Sequence, residues 1–229
     1  FGNILAAYFA KRMGVPIKTL ICASNDNKVL YDFFRTGAYD RNRDFILTTS
    51  PSMDILISSN LERLIYRIAG EDAACNASLM AALAGDGKYE ITAEMKEKLD
   101  DFYGNYATQE ECAAQIRSLY EDTDYVLDPH TAVAAAVYNK YKEETGDTTK
   151  TVIASTASPY KFSKAVLEAV EPNATLPETE FDMVDELHKV SGAEVPAPLA
   201  NLKNKTARFS DVTEVSDMEN YVLGALGID

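Results

Sequence analysis

Three short stretches carry the residues best able to do chemistry. In one, Ser155, Thr156 and Ser158 follow the run Thr151-Val152-Ile153-Ala154, and Pro159 stands where a helix would begin. The pattern predicts a buried parallel strand that turns into a helix through hydroxyl side chains. In another, Asp128 and His130 follow Tyr125-Val126-Leu127 and precede a helical run from Ala132. In the third, Phe1, Gly2 and Asn3 lead straight into a helical pattern. A glycine turn at a helix start exposes backbone amides and the positive end of the helix dipole, which suits a phosphate. In open α/β sheets such junctions gather on the rim at the strands' carboxyl ends, where ligands sit. Each junction also has a plainer reading, because Ser155, Thr156, Ser158, Asp128, Thr131 and Asn3 are all competent helix caps.

The elements that must position these residues can be read from periodicity. Ile4, Leu5, Tyr8, Phe9 and Met13 follow Asn3 at helical spacing, and Gly14 and Pro16 end that helix. Ile17–Ala23 is predicted as a strand, followed by the turn Ser24-Asn25-Asp26-Asn27 and a helix that stops at Gly37. Phe45–Thr48 is expected as a brief strand. Ser50-Pro51-Ser52 is expected to cap an amphipathic helix through Ile55, Leu56, Leu61, Leu64, Ile65 and Ile68. Residues 71–121 have the small and charged alternation of a helical excursion, broken at Gly85-Asp86-Gly87 and Gly104-Asn105. Tyr125–Leu127 and Thr151–Ser155 are expected to resume the sheet, each before a helix. Residues 171–206 are proline-punctuated, with a helix over Phe181–Val190, and Met218–Leu226 forms a last one. Strands alternating with helices predict an α/β fold with a mostly parallel sheet and right-handed crossovers.

A chain of 229 residues, 46% hydrophobic, is long enough to bury a core as one large domain with an excursion. Its 22 basic and 36 acidic residues give a net charge of −14, which argues against nucleic acid or an anionic membrane as partner. Cys22, Cys75 and Cys112 are odd in number and lack metal-ligand spacing, as expected of reduced thiols in a cytoplasmic protein without a metal. No apolar run reaches membrane-spanning length. The chain enters a helix at Phe1 without a methionine, and the expectation is a carboxyl-terminal piece of something longer.

The opening residues Phe1 to Ile17 resemble the end of the Gly-Asn-Phe-Gly-Asn/Asp phosphate loop of threonine synthases together with the helix after it. Asn25-Asp26-Asn27-Lys28-Val29-Leu30, Phe34-Arg35-Thr36-Gly37-Ala38-Tyr39-Asp40 and the long block Thr49 to Arg63 are similar to the same family. So are Asp128 to Val133 and Ser155 to Phe162, and the matches run in order across residues 1 to about 170. The resemblance implies a pyridoxal phosphate (PLP) enzyme of the tryptophan-synthase-like fold, a mostly parallel three-layer sheet, present in part. The implied reaction converts O-phospho-L-homoserine and water into L-threonine and phosphate. Phe1, Gly2 and Asn3 would then belong to the cofactor's phosphate cradle. Thr156 would meet the pyridine nitrogen with Ser155 beside it, and Asp128 would belong to the same cofactor site. Asn25, Asn27, Arg41 or Arg43, and His130 are candidates for substrate contacts. Ser158 stands where the family usually has histidine.

The lysine that carries the cofactor lies upstream in the family. Lys11, Lys18, Lys28 and Lys161 are read as surface or capping residues, so the chain alone is expected to be inactive, with a missing amino-terminal part of the same polypeptide as its partner. Two other functions compete. A related PLP-dependent threonine or serine dehydratase would share the fold, and in a non-catalytic binding module the rim hydroxyls would be caps only.

Overall fold

In the computed structural model, which describes residues 1–228, the chain forms two units, Phe1–Glu194 and the segment from Val195 onward. The first unit opens with α1 (Gly2–Arg12), β1 (Leu20–Ser24), α2 (Val29–Thr36), β2 (Ala38–Asp40), α3 (Leu61–Ile68) and α4 (Ala73–Gly85). It continues with β3 (Lys88–Glu90), α5 (Ala93–Glu97), β4 (Phe102–Tyr106), α6 (Gln109–Thr123), α7 (Pro129–Thr145), α8 (Ser163–Val170) and α9 (Glu180–Ser191). The second unit holds α10 (Ala197–Ala200) and α11 (Met218–Leu226), and its Val212, Val215 and Leu226 are exposed.

Strands β1 and β4 pair in parallel, Leu20 opposite Phe102 through Ser24 opposite Tyr106. Because successive side chains on a strand point to opposite faces, β4 shows how the layers stack. Phe102 meets Phe34 of α2 at 5.2 Å between ring centroids and Tyr8 of α1 at 5.7 Å. Tyr103, one residue on, packs edge-on against Tyr141 of α7 at 4.9 Å. Helices therefore cover both faces of the parallel pair. Strands β2 and β3 form a separate antiparallel pair whose Tyr39 and Tyr89 rings stack at 5.3 Å. Helix α3 drives its apolar face into the same core: Leu61, Leu64, Ile65 and Ile68 are at most 2% exposed. Each such side chain contributes about 1.5–3 kcal/mol of burial.

Several sequence expectations change here. Residues 71–121 are not only helical, for they contain β3 and the sheet strand β4. Gly104, which looked like a break, lies inside β4 because α2 presses on it. A Cβ there would stand 2.9 Å from the Cβ of Phe34, so only glycine lets helix and strand approach this closely. Phe45–Thr48 forms no strand, and Phe45, Ile46 and Leu47 are exposed in a loop. The expected helix from Ser50 is a short turn at Pro51–Met53 and starts properly only at Leu61. The Asp54 carboxylate folds back onto Thr48 and holds the chain in a loop instead. Tyr125–Leu127 and Thr151–Ser155 are extended but unpaired, and Val152 is 95% exposed, not buried. A β-branched run needs a neighbouring strand to complete its backbone hydrogen bonds, and none of the described residues supplies one. Among the described residues no helix is long and apolar enough to cross a membrane.

Candidate functional site

Parallel pairing makes β1 and β4 end on one rim, where Asn25-Asp26-Asn27 and Thr108-Gln109 emerge side by side. The rim is stitched across: Ala107 N donates to Ser24 O at 3.0 Å, Gln109 N to Asp26 Oδ2 at 3.1 Å, and Thr49 N to Gln109 Oε1 at 3.2 Å.

Asp54 forms the first of two polar groups on this rim. Its Oδ1 accepts from Asn25 Nδ2 at 2.7 Å, Asn27 Nδ2 at 3.0 Å and Thr48 Oγ1 at 2.6 Å, and its Oδ2 from Thr48 N at 2.9 Å. Asn25 also donates to Ser50 Oγ at 3.0 Å and accepts from Asn27 N at 3.0 Å. Asn27 brackets Ile46, donating to its carbonyl at 2.7 Å and accepting from its amide at 3.0 Å. Asn25 and Asn27 are buried, and both ends of each amide already have protein partners. They anchor the 45–54 loop to the end of β1.

Asp128 organises the second group. As N-cap of α7 it accepts from His130 N at 2.9 Å and Thr131 N at 3.4 Å, and its other oxygen takes the Thr131 hydroxyl. His130 Nδ1 lies 3.1 Å from Asp128 Oδ1, while its Nε2 accepts from Ser52 N at 3.1 Å. With Nε2 accepting from Ser52, Nδ1 is the ring nitrogen that faces Asp128. Both ring nitrogens are thus engaged, and His130 joins the 50–54 loop to α7. Burial alone would raise the Asp128 carboxyl, but the hydrogen bonds from His130 and Thr131 outweigh it and hold the group below the usual aspartate value. Thr131 Oγ1 is also 3.1 Å from Ser155 Oγ. Thr131 is the donor in that contact, its single proton shared between Asp128 and Ser155. Thr156, next in the chain, is exposed, and its hydroxyl takes part in no hydrogen bond among the described residues.

Asn25, Asn27, Asp128, His130 and Ser155 are therefore linked through Ser50–Asp54 on one rim. Arg41 stands apart: its guanidinium donates to Ala84 O at 3.0 Å beside β2, away from this network. Arg43 is paired with Asp32 at 2.7 Å. Helix α1 begins at Gly2 with Phe1 as N-cap and no side chain capping it, so Asn3 lies inside the helix rather than before it. The Phe1 ring packs on Phe34 and Phe102, and a Cβ on Gly2 would come within 3.3 Å of Asn60 Nδ2. Among the described residues no hydrogen bond ties Phe1, Gly2 or Asn3 to the Asp128 group. Sequence reasoning missed Thr48, Ser52, Asp54 and Gln109. The run of small polar residues from Thr48 to Asp54 was the available signal, and it was read as a strand end and a helix cap.

Residues 131–222 match the family described as threonine synthase, C-terminal. Threonine synthase-like 1 of Homo sapiens is 44% identical over 173 residues, which is 75% of this chain and 23% of that protein. A PLP-bound threonine synthase from Brucella melitensis superposes with a TM-score of 0.80 at 36% identity, over 97% of this chain and 43% of that one. Yeast threonine synthase superposes with a TM-score of 0.84 at 31% identity, over 99% of this chain and 46% of that one. The chain spans about a quarter of the human relative and under half of the two solved structures. By these likenesses in sequence and in fold, the chain belongs to the threonine synthase family, with residues 131–222 corresponding to its carboxyl-terminal region.

Proposed function

We propose that residues 1–229 are the carboxyl-terminal part of the catalytic region of a threonine synthase that converts O-phospho-L-homoserine and water into L-threonine and phosphate. The observation that carries this reading is the Asp128–Thr131–Ser155 chain of hydrogen bonds, which ends at the exposed hydroxyls of the Ser155–Thr156 turn. It is supported by the likeness to the PLP-bound Brucella melitensis protein.

The residues fit pyridoxal phosphate in kind. The uncapped first turn of α1 offers the amides of Gly2 and Asn3 to a phosphate, and glycine at position 2 avoids crowding Asn60. Thr156 offers a neutral hydroxyl to a ring nitrogen, with Ser155 held beside it. When bound, the cofactor supplies the electron sink that lets bonds at the substrate's α carbon and beyond be broken and made. A hydroxyl partner, unlike a carboxylate, leaves the ring nitrogen largely unprotonated, which favours elimination and replacement over transamination. Asp128 touches no substrate in this scheme. It fixes the Thr131 hydroxyl, and Thr131 in turn fixes Ser155. His130, Asn25 and Asn27 hold the 45–54 loop in register with the rim, and Phe1 seats the start of α1 on Phe34 and Phe102.

The base that moves protons between substrate carbons is assigned to a lysine outside this chain, on an additional amino-terminal part. The same part is assigned the strand that pairs with Thr151–Ser155. The 229 residues alone are accordingly inactive. The test has two arms. Adding pyridoxal phosphate to the isolated chain should leave the cofactor's absorbance unchanged, and a new band abolished by one lysine substitution would overturn the assignment. In the complete enzyme, phosphate release from O-phospho-L-homoserine should fall at least about tenfold in Thr156→Val. Ammonia release from L-threonine with no phosphate release would make it a dehydratase instead.

A further inference from the structure

A single ring nitrogen ties the turn Pro51–Met53 to the start of α7. Ser52 N, in that turn, donates to His130 Nε2 at 3.1 Å, and among the described residues no other hydrogen bond joins the turn to α7. The flanks are held independently. Beyond the turn, Asp54 fixes Thr48, Asn25 and Asn27 at the end of β1. The imidazole itself belongs to α7: its Nδ1 lies 3.1 Å from Asp128 Oδ1, its ring centroid is 4.8 Å from that of Phe162, and its side chain is 10% exposed.

An imidazole accepts a hydrogen bond only through a nitrogen that carries no proton. With both nitrogens protonated the ring has two donors and no acceptor. Ser52 N–H and His130 Nε2–H would then point at each other across about 3 Å, and an attraction becomes a repulsion. The same proton strengthens the opposite contact, because a positive ring pairs with the Asp128 carboxylate. Asp128 is fixed by the amides of His130 and Thr131, and hydrogen bonding holds its carboxyl below the usual aspartate value, so it stays ionised near neutral pH. One added proton therefore draws the ring toward α7 and pushes the turn off it.

The charged neighbours leave that choice standing. The turn itself, Pro51-Ser52-Met53, carries no titratable side chain. The Asp54 carboxylate is occupied by Thr48, Asn25 and Asn27, and Asp26 accepts from Gln109 N at 3.1 Å. From α6, Cys112 donates to Pro129 O at 3.3 Å, and burial pushes its thiol up to about 11, so it adds no charge. From the turn Pro159–Phe162, Lys161 Nζ lies 5.6 Å from the Phe162 ring centroid. It disfavours a second proton on His130 without altering which contact that proton breaks. On α7 the next charge is Lys140, roughly 15 Å further along the axis.

We infer that His130 is a proton-operated latch. With Nε2 unprotonated it holds the Pro51–Met53 turn on α7. With the second proton it keeps Asp128 and releases the turn, loosening the rim that Ser155 and Thr156 share.

The test is a nuclear magnetic resonance titration of the 229-residue chain from pH 8 to 5, the range in which histidine ordinarily changes charge. It follows the histidine rings and the Ser52 amide together. The chain has two histidines, so His188→Gln assigns the ring signals. As His130 takes up its proton, the protection of the Ser52 amide, corrected for the intrinsic pH dependence of exchange, should fall at least about tenfold, while the Thr48 amide, held by Asp54, keeps its own. His130→Gln offers a carbonyl oxygen that takes no proton in this range, and Ser52 should stay protected throughout. Should that variant misfold, the titration of the unaltered chain decides by itself. Equal Ser52 protection on both sides of the His130 titration would overturn the inference. So would a His130 ring that takes no proton by pH 5, a folded His130→Gln chain that loses Ser52 protection over the same range, or an equal loss at Thr48.

Discussion

Replacing Asp54 by alanine tests whether the loop over the rim is held by one carboxylate. The substitution removes the acceptor of hydrogen bonds from Asn25 Nδ2, Asn27 Nδ2, Thr48 Oγ1 and Thr48 N. A hydrogen bond to a charged group is worth about 1.5–3 kcal/mol, so a simple sum over the four would be about 6–12 kcal/mol. The geometry argues for less. Asn25 keeps Thr48 Oγ1 and Ser50 Oγ as acceptors, and Asn27 keeps the Ile46 carbonyl. The Thr48 amide and hydroxyl lose most, and the half-buried position lets water reach them. The expected loss is therefore about 2–4 kcal/mol, measured as a lower urea midpoint with unchanged slope. Hydrogen exchange should localise it, with the Thr48 and Ile46 amides exchanging faster than those of β1. Asp54→Asn, which keeps one acceptor oxygen, should lose less than Asp54→Ala. A loss under about 1 kcal/mol, or exchange unaltered at Thr48, would refute the claim that this carboxylate organises the loop.

Further substitutions probe the elements that carry the rim. Gly104→Ala should destabilise by about 1–3 kcal/mol in urea unfolding through the clash with the Phe34 Cβ, and Phe34→Ala, which keeps that Cβ, should not relieve it. Tyr39→Phe deletes the acceptor of the Ser58 amide at 2.7 Å and the donor to the Leu56 carbonyl at 3.0 Å, for an expected loss of about 1–3 kcal/mol in urea unfolding. Asp128 predicts a pH dependence. Its folded-state value is depressed, so its contribution is complete above the unfolded value of about 3.9 and is lost as pH falls through the lower folded value. Asp128→Asn should therefore flatten the fall of stability with acid below about pH 4, and an unchanged slope would count against the network as drawn.

Much of the fold was legible because local rules decide it. Asp128 and Pro129 start α7 as a cap and a first-turn proline should, and Gly37 ends α2 in the left-handed conformation that glycine tolerates. Thr151–Ser155 shows where local reading stops. Its β-branched residues state a preference for extended backbone, but whether that backbone joins a sheet depends on a partner strand remote in sequence.

By itself the sequence determined the helix boundaries set by caps and glycines, the strand-then-helix rhythm, and the hydroxyl, carboxylate and imidazole groups that crowd the junctions. Only the tertiary structure decided that β4 lies inside an apparently helical stretch. It alone turned Asn25, Asn27 and His130 inward as loop anchors and sent Arg41 elsewhere. The reason is that a side chain's chemical type travels with the residue, whereas its partner is chosen by packing. An asparagine at a strand end serves a ligand or a loop according to which one the fold brings within about 3 Å.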